Sequence, residues 1–208
     1  MTLPTSGQIS LDDLRVEFGG PTTNNRLSLY YAGAGLVPAG TVGVNGPVPS
    51  SGQISLSDFY GTSNTFTSVL TVGVRTVSAN EQFRGYESVD SLAGQPASGN
   101  RSADNVFGAT MLAAYTTFDT LNNRTSSFVI RLAGNRAANF FSSVAINLET
   151  TNYTLNTDVG NPGTPGVTSF ARSDSIDANS NPATVYQWIF ASFEAWSSAI
   201  PETIVISP

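Results

Sequence analysis

Ser127-Phe128-Val129-Ile130-Arg131-Leu132 sets Phe128, Ile130 and Leu132 at alternate positions, and Tyr186-Gln187-Trp188-Ile189-Phe190 does the same with Tyr186, Trp188 and Phe190. Successive side chains of a strand point to opposite faces, so each run reads as a strand with one apolar face. Val144-Ala145-Ile146-Asn147-Leu148 alternates in the same way, and Thr203-Ile204-Val205-Ile206 and Val167–Arg172 are further candidates. Thr65–Val72 and Val74–Val77 read as one strand bent at Gly73. Phe107–Tyr115 fits a buried strand or a short helix, which periodicity alone does not separate. Gly, Asn, Asp and Pro clusters part these runs, with longer loops around Asn80–Asn105 and Asp158–Asn181. Roughly seven or eight short strands between such turns predict a mainly β fold, an antiparallel β-sandwich.

Composition narrows the chemistry. The 208 residues include 9 cations, all arginine, against 15 acids, for a net charge of −6. Charged residues make up 12% of the chain, about half the usual share. Histidine, lysine and cysteine are absent. Those absences exclude a Ser-His-Asp triad, a His-ligated metal, a thiolate nucleophile, a disulfide framework and a Walker-type lysine. A weakly charged, acidic chain has no basic stripe for a phosphate backbone, so no nucleic-acid partner is expected. The hydrophobic share of 40% is enough to build a core, which argues against disorder. The first residues carry no positive or apolar segment of a signal peptide, and no apolar run approaches the ~18 residues of a membrane span. A soluble protein made in a cytoplasm, without membrane insertion and without cofactor, is the expectation.

The N-terminal third is organised differently. Ser6-Gly7-Gln8-Ile9-Ser10-Leu11-Asp12-Asp13-Leu14 recurs 45 residues later as Ser51-Gly52-Gln53-Ile54-Ser55-Leu56-Ser57-Asp58-Phe59. A weaker copy, Arg26-Leu27-Ser28-Leu29-Tyr30-Tyr31-Ala32-Gly33, lies between and aligns Leu27-Ser28-Leu29 with Ile54-Ser55-Leu56. Ser10 with Asp13, and Ser55 with Asp58, have the spacing of a helix cap and its acidic reciprocal partner. Each copy predicts an extended stretch turning into one or two helical turns. Leu11, Leu14 and Phe18 form the first apolar stripe, and Leu56, Phe59 and Tyr60 the last. Helices this short are marginal alone. They must dock on each other, on a copy in another subunit, or on a partner, and Ile9, Leu11, Leu14, Phe18, Leu29, Tyr30, Tyr31, Ile54, Leu56, Phe59 and Tyr60 are the candidate assembly residues. The Gly- and Pro-rich stretch from Gly33 to Pro49 reads as an extended connector. The division expected is an irregular arm with short helical turns over 1–63 and the sandwich over 64–208.

Sites of chemistry are sparse. Asp174, Asp177, Asn179 and Asn181 offer oxygen ligands for Ca²⁺, but without the Gly and terminal Glu of an EF-hand loop a solvated loop is the better reading. Tyr186, Trp188, Phe190, Phe193 and Trp196 could stack on sugars, although the alternating three read better as core. Glu87, Asp90, Glu149, Asp158 and Glu194 are scattered, with nothing to bring two together as a hydrolytic pair. Arg131 reads as a surface arginine, with subunit bridging or an anionic sugar as the sharper alternative.

The repeat, from Leu3-Pro4-Thr5-Ser6-Gly7-Gln8-Ile9-Ser10-Leu11 through Leu27-Ser28-Leu29-Tyr30-Tyr31 to Val48-Pro49-Ser50-Ser51-Gly52-Gln53-Ile54-Ser55-Leu56, resembles the N-terminal motif of virion structural proteins of tailed bacteriophages, especially those of cyanobacteria and other aquatic hosts. Leu70–Gly73, Phe107–Tyr115, Phe140–Asn147, Tyr186–Trp188 and Thr203–Ile206 look like the β-rich modules of their tail proteins. The resemblance implies a non-enzymatic tail fibre or baseplate protein, commonly a homotrimer. Its arm would attach to other virion proteins, and its distal β domain would meet host surface polysaccharide. A purely structural part, such as a tail connector or head decoration, is the alternative. A depolymerase is a third reading, weakened by the lack of a solenoid period.

Overall fold

The computed structural model describes residues 2–92, 98–121, 124–148, 151–157, 167–190 and 202–207. Contacts divide the chain into two units, one of Met1–Phe66 with Asn105–Gly108, the other of Thr67–Asp104 with Ala109–Ser207. Among the described residues the elements are helix α1 (Leu11–Phe18), the 3-10 turns η1 (Leu27–Leu29) and η2 (Leu56–Phe59), and fourteen strands. Strands β1 (Val42–Gly43) and β2 (Gly46–Pro47) form a hairpin between η1 and η2. The others are β3 (Phe66–Thr71), β4 (Gly73–Ser78), β5 (Glu81–Glu87), β6 (Asn100–Arg101), β7 (Asn105–Val106), β8 (Ala109–Asp119), β9 (Arg124–Ala133), β10 (Ser143–Leu148), β11 (Thr151–Asn156), β12 (Val167–Ile176), β13 (Pro182–Phe190) and β14 (Glu202–Ser207).

The fold is mainly β and antiparallel, as the alternation predicts. One sheet runs β11-β10-β14-β3-β6 and the larger runs β12-β13-β9-β8-β5-β4. Trp188, on the inner face of β13, is fully buried and spans the interior, its indole N–H donating to the Asn156 carbonyl at the end of β11 at 2.8 Å. Phe170, Phe128 and Phe141 pack around it with ring centroids 5.1, 5.7 and 6.4 Å away. Tyr186, one alternation along, packs on Phe141 at 4.7 Å and donates its hydroxyl to the Ala137 carbonyl at 2.7 Å. The aromatic run of β13 is therefore core and offers no sugar platform. Phe193 and Trp196 lie outside the described residues.

Two strands change sheets at one corner. Residues 66–78 leave the smaller sheet at Thr71 and enter the larger at Gly73, with only Val72 between. Ser98 bridges Glu87 of the larger sheet, while Asn100 and Arg101 pair with Thr71 and Leu70 of the smaller. The bend read at Gly73 is this switch. Gly99, at φ +67°, sits where a Cβ would lie 2.3 Å from the Gly85 carbonyl oxygen and 2.4 Å from that of Thr71. Only a residue without a Cβ lets the two chains cross so closely.

One reading of the sequence is corrected and one left open is resolved. Within the stretch read as a loop around Asn80–Asn105, Glu81–Glu87 is strand β5, paired with both β4 and β8. Its charged residues hide the strand pattern: the Arg84 guanidinium lies 3.7 Å over the Phe118 ring, and Arg75 lies 4.5 Å over Phe83, which stacks on Tyr115 at 4.4 Å. Arginine stems cover apolar surface here as an aliphatic side chain would. Phe107–Tyr115 resolves into strand from Ala109 onward.

Replacing Gly99 with alanine is expected to destabilise the fold by about 2–5 kcal/mol, from left-handed strain plus overpacking, read as a lower urea midpoint. Burial pushes the Tyr115 and Tyr186 phenols up to about 12. An unfolded tyrosine loses its proton near pH ~10, so the folded state holds more protons between these values. Stability is therefore expected to be complete below pH ~10 and to fall as pH rises toward 12, and Tyr186→Phe is expected to flatten that fall in alkaline melting curves.

Candidate functional site: the repeat-built N-terminal unit

The first copy of the repeat closes a capping box. The Ser10 hydroxyl accepts the Asp13 amide at 3.2 Å, and the Asp13 carboxylate accepts the Ser10 amide at 2.8 Å and hydroxyl at 2.7 Å. The bonds from Ser10 hold the Asp13 carboxyl below the usual range. Helix α1 runs for eight residues and stops at Gly19, which is left-handed and returns its amide to the Arg15 carbonyl at 2.9 Å. The second copy is also boxed, with Asp58 accepting the Ser55 amide at 2.8 Å, but its helix lasts one turn.

The middle copy shifts register. Its turn starts at Leu27, so Leu27 corresponds to Leu56, Tyr30 to Phe59 and Tyr31 to Tyr60, two residues further along than the sequence alignment sets them. Burial fixes this choice: Leu14, Tyr30 and Phe59, each three residues after the start of its turn, are each 0% exposed. Arg26 caps η1 without a side-chain bond. Asn25 does the holding instead, its amide donating to the Leu11 carbonyl at 3.0 Å and its oxygen accepting the Tyr30 hydroxyl at 2.7 Å.

The three turns meet in one core. Phe18 and Tyr30 both set their edges against Phe59, with centroids 6.2 and 6.3 Å apart. Leu3, Ile9, Ala32, Val37 and Val48 close the cluster, with Leu11, Leu29, Ile54, Leu56 and Tyr60 packed half-buried against it. Val37 and Val48 come from the stretch read as an extended connector, and that reading is corrected. The Gly33–Pro49 segment folds back through the β1–β2 hairpin, with Ala32 N–H bonded to the Pro49 carbonyl at 3.0 Å and Val44 N–H to that of Tyr60 at 2.7 Å. The short helices bury their apolar residues on each other.

This placement redefines the assembly residues. Leu14, Phe18, Tyr30 and Phe59 are enclosed and set the shape of the unit rather than touching a partner. Tyr31 and Tyr60 stay half-exposed and tie the copies together: the Tyr60 hydroxyl donates to the Gly7 carbonyl, and that of Tyr31 to the Gly52 carbonyl. Neither bond could be read from sequence, because each joins one copy of the repeat to the glycine of another. The apolar surface left open is Val16 of α1 and Val42 and Val44 of the hairpin, each more than half exposed.

The other candidates resolve into structure. Arg131 is 5% exposed, with Nη2 bonded to Ser175 Oγ at 2.9 Å and to the Ile176 carbonyl. Burial lowers its pKa. It fastens β9 to the end of β12 and is no surface arginine. Glu87 forms a buried two-bond ion pair with Arg75, at 2.6 and 2.8 Å. Asp177 turns its carboxylate back on its own loop, accepting the Asn179 and Asn181 amides at 2.8 and 2.9 Å, while Asn179 donates to Asp90 at 3.2 Å. Burial works against the charged Asp177, but those bonds outweigh it and lower the pKa. Glu149, Asp158 and Glu194 lie outside the described residues. Among the described residues no three of His, Cys, Asp or Glu stand close enough to hold a metal ion, and no helix is long and apolar enough to cross a membrane.

No protein-family model, curated protein or solved structure matches this chain.

Replacing Ser10 or Ser55 with alanine is expected to cost about 0.5–2 kcal/mol each, as for other helix caps. Both caps serve one core, so the double variant is expected to depart from the sum of the two, measured in a urea double-mutant cycle.

Proposed function

We propose that this chain is a non-enzymatic structural protein of a tailed-bacteriophage virion, a tail fibre or baseplate-attached protein. The N-terminal unit attaches it to other virion proteins, and the β-sandwich meets the host surface. The observation that carries the reading is the repeat. The residues that resemble phage tail proteins are the residues that build the core of the N-terminal unit, which gives the motif a physical reason to recur. A short turn whose residue three places after its start fills a shared core is a module that can be repeated within a chain.

Composition supports the same reading. A surface with little charge, no lysine and abundant Ser, Thr and Asn hydrogen-bonds to neutral glycans and packs against copies of itself without charge repulsion. In this reading the chain is a homotrimer located in the virion tail, and its partners are tail or baseplate proteins and host polysaccharide.

A chain lacking residues 1–63 is expected to keep its β-sheet circular dichroism and its binding to host cells while losing incorporation into particles. Incorporation at the normal level would remove the attachment role. Retained incorporation of the full chain with no binding to cells or purified host polysaccharide would turn the reading to a connector or decoration protein.

A further inference from the structure

The larger sheet ends on two edges: among the described strands β12 pairs with β13 alone, and β4 with β5 alone. An edge strand turns a row of backbone N–H and C=O groups outward, a template for another strand. Sheets that must stay solitary guard their edges with lysine, proline, standing charges or very short strands. These two edges lack such guards. Neither β4 nor β12 contains proline, and the chain has no lysine. Arg75 of β4 is buried and turned back on Glu87. On β12, Arg172 donates from Nε to the Arg136 carbonyl at 2.8 Å and pairs with Asp174, so both charges are matched within the chain. The pairing irregularities stand at one end of each strand, after Thr76 and before Ser169. Val74, Thr76, Val77 and Ser78 are exposed on β4, and Ala171, Ser173 and Ile176 on β12.

Strand direction selects the occupant. Every pairing along the six strands is antiparallel, and six is even, so β4 runs opposite to β12. A second copy in the same orientation therefore sets its β12 antiparallel beside the first copy's β4, and the ladder continues with its alternation unbroken. A head-to-tail contact of this kind uses one edge of each type per copy and generates a ring when the rotation closes. Pairing β4 with a second β4 is two-fold instead: it closes at a dimer and leaves both β12 edges open.

We infer that the β4 edge of the sandwich binds the β12 edge of another copy of this chain, joining their larger sheets head to tail. The matched charges of Arg75 and Arg172 let the two edges approach without repulsion, and the exposed valines of β4 gain neighbours across the seam. The choice of β12 over a second β4 rests on the homotrimer proposed above, and the inference supplies the surface through which that trimer forms.

The test weighs the full chain and two variants by light scattering after size exclusion. Val74→Lys with Val77→Lys guards β4, and Ser173→Lys with Ile176→Lys guards β12; all four positions are exposed. The unmodified chain is expected at three times the monomer mass, and each variant alone at the monomer mass. Mixed in equal amounts, the variants are expected to form a pair of twice the monomer mass, because one keeps an open β12 and the other an open β4. Such a pair also shows that both variants fold. Where a variant loses its β-sheet circular dichroism, amide exchange of the unmodified chain decides: protection along β4 and β12 is expected to fall on dilution to monomer, and exchange independent of concentration would overturn the proposal. Loss of the oligomer in the β4 variant alone, or folded variants that stay monomeric when mixed, would also overturn it. A trimer that survives both variants would overturn the edge pairing and leave the homotrimer reading in place. An unmodified chain that stays monomeric at about 100 µM would remove the homotrimer and the edge pairing together.

Discussion

Phe59 receives the edges of Phe18 and Tyr30 in a fully enclosed position, and the N-terminal unit depends on that meeting. None of the three helical turns is long enough to be stable alone; the longest has eight residues. Each contributes one fully buried side chain, Leu14, Tyr30 or Phe59, and burying a side chain of this size contributes roughly 1.5–3 kcal/mol. The capping boxes at Ser10 and Ser55 fix where α1 and η2 begin, and Asn25 holds Tyr30 of the middle copy, so that each of these residues faces the centre. Caps without the core would leave marginal helices, and a core without the caps would leave their register loose. Tyr31 and Tyr60 add the ties between copies that keep the three turns in one arrangement.

The sandwich solves a different problem with the same economy of charge. Its interior is organised by Trp188 and the rings around it, and elsewhere Arg75 and Arg84 lie over the Phe83 and Phe118 rings. The enclosed Arg75–Glu87 pair is satisfied by two bonds, so neither charge is left alone in the interior. At the Gly73 and Gly99 corner the backbone itself passes between sheets, which lets two strands serve both layers. Each unit thus has its own core, and the assembly role proposed for one and the surface-contact role proposed for the other make separate demands on the sequence.

The β class was legible because Phe128, Ile130 and Leu132, and Tyr186, Trp188 and Phe190, alternate without interruption. Strand β5 was not, because Glu81-Gln82-Phe83-Arg84-Gly85-Tyr86-Glu87 covers its faces with arginine stems and a buried ion pair rather than with aliphatic residues. In the N-terminal third the caps at Ser10 and Ser55 could be read from spacing, since a capping box is a local interaction. The place of Val37 and Val48 in the core could not, because a Gly- and Pro-rich segment shows no periodicity whether it is stretched out or folded back. The middle copy was misaligned by its serines. Ser28 resembles a cap, but the deeper constraint is that Tyr30 must reach the position of Phe59. Arg131 looked like a surface residue because its partners, Ser175 and Ile176, are distant in the chain.

Residues 1–63 form a core of their own around Phe59. Amide hydrogen exchange on the intact chain reads that core residue by residue. Slow exchange is expected at Gly19, Tyr30, Ala32, Val44, Val48 and Thr62, whose N–H groups are bonded within this unit, with a joint loss of that protection in Phe59→Ala. Exchange of those amides at unfolded-chain rates in the unmodified protein would contradict it and return these residues to an extended arm.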